Sequence, residues 1–398
     1  MSFLDNLNNA NNELKNFNYS FIENGIDNID VKKFFKLGKE KSPLLMYVGG
    51  NEFTEFLSLK ISYSIDSACA AFSFDTIFYP NKTLANRIVP FGNESVGIYY
   101  NDKKIFSGKI EKITTGYSNN GSNINIQGRS DSGILVDSDL TKSQYAITSL
   151  SNIAINNGFL FVREEPTNTF TNVKIDNSEN AYDKLSKLAL SKGQFAIPKF
   201  DGTILFANIE NFTKSGYTIK DGEQNVLGIS ASYDISKRNY RYIGYDKNAI
   251  STILDTGISP TRGQKYIRTD EVNSDRSQVA RMAMAKSINE SFTLAVSLST
   301  WTLNDKLIQP GMIIAVNSPM NMIYKDTEFV TKQIDYSYDI NNGYVCEIQL
   351  TLKEAFDKNI PNINTFTTYQ NALLKDPFLK FFKIPDNKLV WKGKNTLE

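Results

Sequence analysis

The sequence has no histidine among its 398 residues. Without an imidazole there is no Ser-His-Asp or Cys-His nucleophile, no HExxH zinc site and no histidine general base. Any catalysis would rest on carboxylates, Lys, Tyr or Cys. Cysteine is nearly absent as well. Cys69 and Cys346 are the whole set, too few for a disulfide framework, and they predict two buried thiols made in a reducing compartment. Excess charge is missing too: 44 Lys plus Arg stand against 43 Asp plus Glu, a net +1, which gives no general attraction to nucleic acid or anionic lipid. No apolar run approaches the ~18 residues of a membrane-crossing helix. The stretch Met1 to Asn9 lacks the basic and apolar regions of a Sec signal peptide, and an outer-membrane barrel would need such an export signal. No GxxxxGK[ST] or GxGxxG loop is present to cradle a phosphate, so no cofactor is expected.

What is present is aromatic and strand-like. Hydrophobic residues make up 41%, with 26 Phe and 20 Tyr, enough for real cores in about two to four domains. Leu57, Leu59, Ile61, Tyr63 and Ile65 alternate with Ser58, Lys60, Ser62 and Ser64, the period of a strand with one buried face. Further strands are expected at Ala71–Phe78, Val96–Tyr100, Ile105–Ile113 and Ile124–Gln127. Turn residues separate them at Tyr79-Pro80-Asn81, Asn101-Asp102 and Asn119-Asn120-Gly121.

Residues 145–220 read as a small α/β module. Ile147, Leu150, Ile153 and Ala154 have helical spacing over Ala146–Asn156. Ser178 is the expected cap of a helix carrying Tyr182, Leu185, Leu188 and Ala189 and stopping at Gly193. Phe195–Ile197 and Thr203–Phe206 read as a hairpin. Strand-like stretches Ile229–Tyr233 and Tyr240–Tyr245 follow, then a polar stretch, Thr256 to Asn273. Ser274 is the expected cap of a helix to Ser287 that buries Val279, Met282 and Ala283. Strands return at Phe292–Leu298, Met312–Val316, Glu328–Tyr336 and Tyr344–Leu352.

Two stretches share one script of turn, strand, strand, Asn-Asn-Gly and strand. One runs from Pro90-Phe91-Gly92 to Ile126 and the other from Pro310-Gly311 to Leu352. The chain is therefore expected to be mainly β (α+β), with two antiparallel β-barrel-like tube modules and a small α/β insert between them. The expected divisions are an N-terminal arm (1–40), a first β module (41–144), the α/β domain (145–220), a second β module with one helix at 274–287 (221–357) and a C-terminal docking tail (358–398).

Gly108-Lys109-Ile110 followed by Ile126-Gln127-Gly128-Arg129-Ser130-Asp131 and Leu135-Val136-Asp137 resembles the barrel-closing stretch of the baseplate hub protein of Mu-like contractile-tailed phages, a relative of the T-even hub-like tail proteins. Ser130 separates the Arg and the Asp of that motif here. The helix 274–287, the strand before Trp301, Leu307-Ile308-Gln309-Pro310-Gly311 and the strand Gly343–Glu354 continue the resemblance, which spans roughly residues 44 to 357. It implies a trimeric structural hub in the virion tail baseplate, assembled in the host cytoplasm. Two modules per chain would form a pseudo-sixfold ring joining the tail tube to the central spike, with no catalysis and with DNA able to pass through the lumen.

Gly128, Arg129 and Asp131, and Pro310 with Gly311, are read as structural turns, the first of them a salt-bridged corner. Arg238, Tyr240, Arg241 and Tyr242 interleave cations with aromatics and are interface candidates; a role facing DNA in the lumen is the alternative. Phe378, Phe381, Phe382 and Trp391, set between Lys residues, are the expected anchors of the docking tail. Two other functions are alternatives to the hub. A carboxylate-based cell-wall hydrolase would draw on Glu164-Glu165 or Asp137 and Asp139. A surface-binding adhesin would need a Trp- or Tyr-lined pocket, with only Trp301 and Trp391 available and Trp301 expected in a core.

Overall fold

Strands β1 (Leu44–Val48), β2 (Asn51–Phe53), β3 (Phe56–Ser64), β4 (Ala71–Ile77), β5 (Ser95–Tyr100), β6 (Lys103–Ser118) and β7 (Gly121–Ser130) open the computed structural model. The middle carries β8 (Ser143–Thr148), helix α1 (Leu150–Asn156), β9 (Val162–Glu165), β10 (Phe170–Ile175), α2 (Ala181–Ser191), β11 (Phe195–Pro198) and β12 (Ile204–Ala207). Next come β13 (Lys214–Lys220), β14 (Val226–Tyr233), β15 (Arg241–Tyr245), β16 (Ile250–Leu254), β17 (Gln264–Arg268) and α3 (Arg276–Ser291). The last run is β18 (Phe292–Leu298), β19 (Thr302–Leu303), β20 (Lys306–Leu307), β21 (Ile313–Ser318), β22 (Ile323–Asp339) and β23 (Gly343–Leu352). The described residues are 43–53, 56–77, 88–118, 121–176, 178–246, 249–255, 258–268 and 276–356. The arm 1–40, the tail with Phe378, Phe381, Phe382 and Trp391, and the expected cap Ser274 lie outside them.

The fold is mainly β. One 13-stranded sheet runs in the order β14-β18-β23-β22-β3-β4-β7-β6-β5-β1-β2, with β21 beside β22 and β13 beside β21. The strands expected for both modules thus lie in a single sheet, joined where β3 pairs with the second half of β22, from Ser64 opposite Gln333 to Ser58 opposite Asp339. The alternating stripe explains the site of this join. Leu59, Ile61 and Tyr63 are buried on one face while Ser58, Ser62 and Ser64 stay half-exposed on the other. Leu57 departs from the expected stripe and is half-buried, because the register with β4 shifts between Phe56 and Ser58 and Phe56 takes the inward place.

The shared script of the sequence is realised strand for strand. The orders β3-β4-β7-β6-β5 and β14-β18-β23-β22-β21 correspond, with every neighbouring pair antiparallel. Irregularities coincide as well. The shift between Phe56 and Ser58 has its counterpart between Val226 and Gly228, and the shift between Ile110 and Lys112 has its counterpart between Thr331 and Gln333. Even a single bond repeats: Ile110 N–H donates to Glu94 O at 3.0 Å, and Thr331 N–H to Met312 O at 2.9 Å. The two units differ at the next strand, since β1 lies antiparallel to β5 and β13 parallel to β21.

A continuous core joins both units through Tyr63, Phe74, Trp301 and Tyr336, and the α/β insert holds a second core around Leu150, Leu185 and Phe206. Inside the insert, the expected helix from Ala146 is shorter. Residues 143–148 pair with β10 as a strand, leaving Ile147 71% exposed, and Ser149 caps α1 through the N–H of Asn152. Asn180, not Ser178, caps α2; Ser178 sits at φ 61 before the helix begins. Helix α3 buries Ala280, Met284, Ala285 and Ile288 instead of Val279, Met282 and Ala283, which are half-buried. It is wedged between the β15-β16-β17 sheet and the main body, so no single stripe of its surface is the inner one. Within the polar stretch, Gln264–Arg268 forms a strand by pairing parallel to β15. Cys346 is buried, whereas Cys69 is only half-buried, correcting one of the two expected buried thiols.

Candidate functional site

Glycines shape the corner after β7. A Cβ added at Gly128 would lie 1.9 Å from Lys109 O, and one at Gly108 would lie 2.2 Å from Arg129 O, so the backbones of β6 and β7 approach closely beside the Glu111 bulge. This contact turns the Arg129 guanidinium toward two carboxylates. Its Nε donates to Glu111 Oε2 at 2.6 Å and its terminal nitrogens to Asp137 at 2.5 and 3.3 Å. Its hydrogen bonds to both carboxylates raise the Arg129 pKa above its ordinary value. The partner of Arg129 is therefore Asp137, at the end of the Leu-Val-Asp stretch, together with Glu111, a residue no sequence pattern singled out.

Asp131 points elsewhere. A Cβ added at Gly202 would lie 2.7 Å from Asp131 Oδ2, and Ser132 N–H donates to Gly202 O at 3.1 Å. The chain leaving β7 is thereby docked on the β11–β12 turn. Beside it Ser130 is buried and accepts a hydrogen bond from Ala70 N–H at 3.0 Å. Two open surface hollows, about 500 and 390 Å³, flank this corner; Arg129 and Glu111 line both. Phe91, fully exposed at φ 64, lines the larger.

The Pro310-Gly311 turn is internal. Gly311 has φ 76, its N–H donates to Thr331 O at 2.9 Å, and Ile197 and Phe212 pack within 4 Å of where a Cβ would stand. Nearby Trp301 is wholly buried, as expected, and donates from Nε1 to Val345 O at 2.9 Å. Its ring lies 4.9 Å from Tyr100 and 5.2 Å from both Tyr336 and Tyr344.

The four Arg and Tyr candidates divide. Arg238 is buried in a bidentate pair with buried Asp255, at 2.8 and 2.7 Å. Tyr242 is wholly buried, and its hydroxyl accepts from Asn239 N–H at 3.0 Å. Tyr242 is internal because β15 turns that face onto α3, so closely that a Cβ at Gly244 would lie 2.2 Å from Arg276 O. Tyr240 is half-buried and Arg241 exposed. Pairing in register sets Arg241, Tyr245, Ile250, Leu254, Tyr266 and Arg268 on the outer face of the β15-β16-β17 sheet. The rings of Tyr245 and Tyr266 meet edge-on at 6.2 Å.

One member of each carboxylate pair has structural partners. Glu164 is buried and accepts backbone N–H bonds from Leu150 and Asn168 at 3.2 and 2.8 Å, holding the start of α1, while burial pushes its pKa up. Asp137 is taken by Arg129, and the backbone of Asp139 forms an antiparallel β-bridge with Asn180. Among the described residues no cluster of three or more His, Cys, Asp or Glu is placed to hold a metal, and no helix is long and apolar enough to cross a membrane.

No protein-family model matches the sequence, and no curated protein does. Solved structures do match. The 43 kDa tail protein of prophage MuSo2 from Shewanella oneidensis aligns over 80% of this chain and 100% of its own, at TM-score 0.69 and 17% identity. A tail protein from Neisseria meningitidis aligns over 80% and 99%, at TM-score 0.66 and 17% identity. An Escherichia coli component of the type VI secretion system, described as structurally similar to the T4 phage tail proteins gp27 and gp5, aligns over 77% and 76%, at TM-score 0.54 and 10% identity. The chain has the fold of these phage tail proteins. The resemblance carried by the Gly-Arg-Ser-Asp corner and the Pro-Gly turn holds at the level of fold.

Proposed function

We propose that this chain is the structural hub of a contractile phage-type tail baseplate. It acts as a trimer whose paired units form a pseudo-sixfold ring between the tail tube and the central spike. The observation that carries the reading is the repeat of five strands with coincident bulges in a chain that has the tail-protein fold. Three copies of such a chain present six nearly equivalent units, the number needed to match threefold and sixfold partners. The role is mechanical. Load would pass through strand pairing and buried aromatic contacts, and the lumen would allow DNA to pass without reading its sequence. The outer face of the β15-β16-β17 sheet, with Arg241 and Tyr266, has the cationic and aromatic composition of a protein interface and would meet a neighbouring baseplate protein. The residues beyond 357 would dock on another subunit.

Light scattering on the purified protein at low micromolar concentration tests this. A solution mass near three times the 44.9 kDa chain supports the ring. A mass of one chain at every concentration, with and without a spike, removes it. Peptidoglycan turnover by the purified protein, lost on substituting Glu164 or Asp139, would establish the hydrolase instead.

A further inference from the structure

Within the chain the first unit is joined to the second by one strand pair, and correspondence of the units shows what is missing from it. β3 corresponds to β14, and the second half of β22 corresponds to the second half of β6. Inside one chain β3 pairs with β22. The counterpart pair, β14 with β6, does not form within the chain. Among the described residues β14 is the end of the sheet, paired only with β18, and β5 covers β6 only from Lys103 to Lys109. Among the described residues no strand lies beside Lys112–Ser118 on the side away from β7.

The backbone is poised on both sides. Asp234 N–H donates to Ser291 O at 2.7 Å, and antiparallel alternation then directs the backbone groups of Ile229, Ala231 and Tyr233 away from β18. In β3 the same parity holds: Ile65 N–H donates to Lys332 O at 2.8 Å, so Leu59, Ile61 and Tyr63 face β22. Ile229 O accepts one side-chain bond, from Asn321 Nδ2 at 3.3 Å, which a pairing strand would displace.

We propose that β14 of one copy pairs antiparallel with the second half of β6 of the next, repeating between chains the β3–β22 pair within them. The proposal rests on the trimeric hub reading and names the strands that close its ring. The coincident bulges fix the register. Lys112 opposes Asp234, Ile113 opposes Tyr233, Thr115 opposes Ala231 and Tyr117 opposes Ile229. The occupant is a second copy because this register is inherited from the chain's own seam and sets a cation against an anion at Lys112 and Asp234. It also covers apolar surface whose counterparts are already covered inside the chain. Tyr117 is 87% exposed and Tyr233 38%, whereas Tyr63, the counterpart of Tyr233, is 1% exposed. Since each junction between units then has the same geometry, three chains close a ring in which neither β14 nor the second half of β6 is left as an edge.

Paired cysteines test the register. Thr114 and Ser232 would oppose each other at a position without mutual hydrogen bonds, where Cα atoms lie about 4.5 Å apart, within disulfide reach. Mild oxidation of Thr114→Cys with Ser232→Cys in one chain should give covalently closed trimers on denaturing gels. Thr114→Cys alone, and the out-of-register pair Thr114→Cys with Ser230→Cys, should not. Lys112→Asp should weaken the trimer about fivefold per seam, and adding Asp234→Lys should restore it. Trimers by light scattering without the in-register cross-link would overturn the seam and leave the hub reading intact. A monomer under all conditions would overturn both.

Discussion

The two units of the repeat solve one packing problem in opposite ways. In the first, Phe72 of β4 stands opposite Gly128 of β7; at the corresponding place in the second, Leu294 of β18 stands opposite Leu350 of β23. The same exchange occurs one strand over. Phe106 and Gly108 of β6 correspond to Thr327 and Phe329 of β22. A Cβ on Gly128 would come within 2.7 Å of the Phe72 ring, and one on Gly108 within 2.8 Å of the Phe106 ring. In the first unit an aromatic ring thus lies over a glycine at both places, whereas the second unit has two leucines at one and Thr327 with Phe329 at the other. The lesson is that the repeat conserves bulge position and strand order across the sheet and conserves neither side-chain volume nor residue identity at any of these four places.

The sharpest break in this comparison would come from the residue that the two units share. Trp301→Ala removes the ring that touches Tyr100 of the first unit and Tyr336 and Tyr344 of the second. It should cost about 3–5 kcal/mol in urea unfolding and lower the cooperativity between the units. Asp255→Ala acts on the second unit alone. It leaves the Arg238 guanidinium buried without its bidentate partner, an expected loss of about 3–5 kcal/mol, whereas Arg238→Met with Asp255→Leu should recover most of it. Gly128→Ala should destabilise the first unit by about 1–3 kcal/mol. Adding Phe72→Leu, which imitates the second unit, should not rescue it, because the Lys109 carbonyl is nearer to the new methyl than the ring is. Full rescue would show that the ring, not the backbone, demands the glycine.

The smallest effect concerns the insert. Burial raises the Glu164 pKa above its ordinary 4.5. The folded state therefore holds that proton more tightly than the unfolded chain. The stabilising contribution is full below the ordinary value and is lost as pH rises through the raised one. Glu164→Gln should flatten the fall in thermal midpoint across that window while leaving the slope at other pH values unchanged.

Much of the fold could be read from local patterns. The alternation over residues 57–65, the Asn-Asn-Gly turn before Gly343 and the Pro-Gly turn at 310 each announce themselves within a few residues, since strand period and positive φ are local demands. What could not be read depends on distant partners. Gln264–Arg268 is polar and becomes a strand only by pairing with β15. Ala146–Thr148 carries helical spacing but is taken by β10. Arg238 sits in an alternating Tyr and Arg run that reads as an interface, and only Asp255, beyond β15 and β16, explains its burial inside the chain. The corner around Arg129 was half legible: Gly128 and Asp137 belong to a recognisable stretch, but Glu111 enters through a bulge that no residue type marks.

The seam between β3 and β22 also has a consequence for assembly at low concentration. Its two strands are tethered by the rest of the chain, so their pairing is unimolecular and dilution does not loosen it. A six-unit ring built from single-unit chains would depend on concentration at each of its junctions. Fusion of two units makes every second junction independent of it, and the number of molecules that must meet falls by half. The ring proposed above could therefore be completed while the protein is scarce.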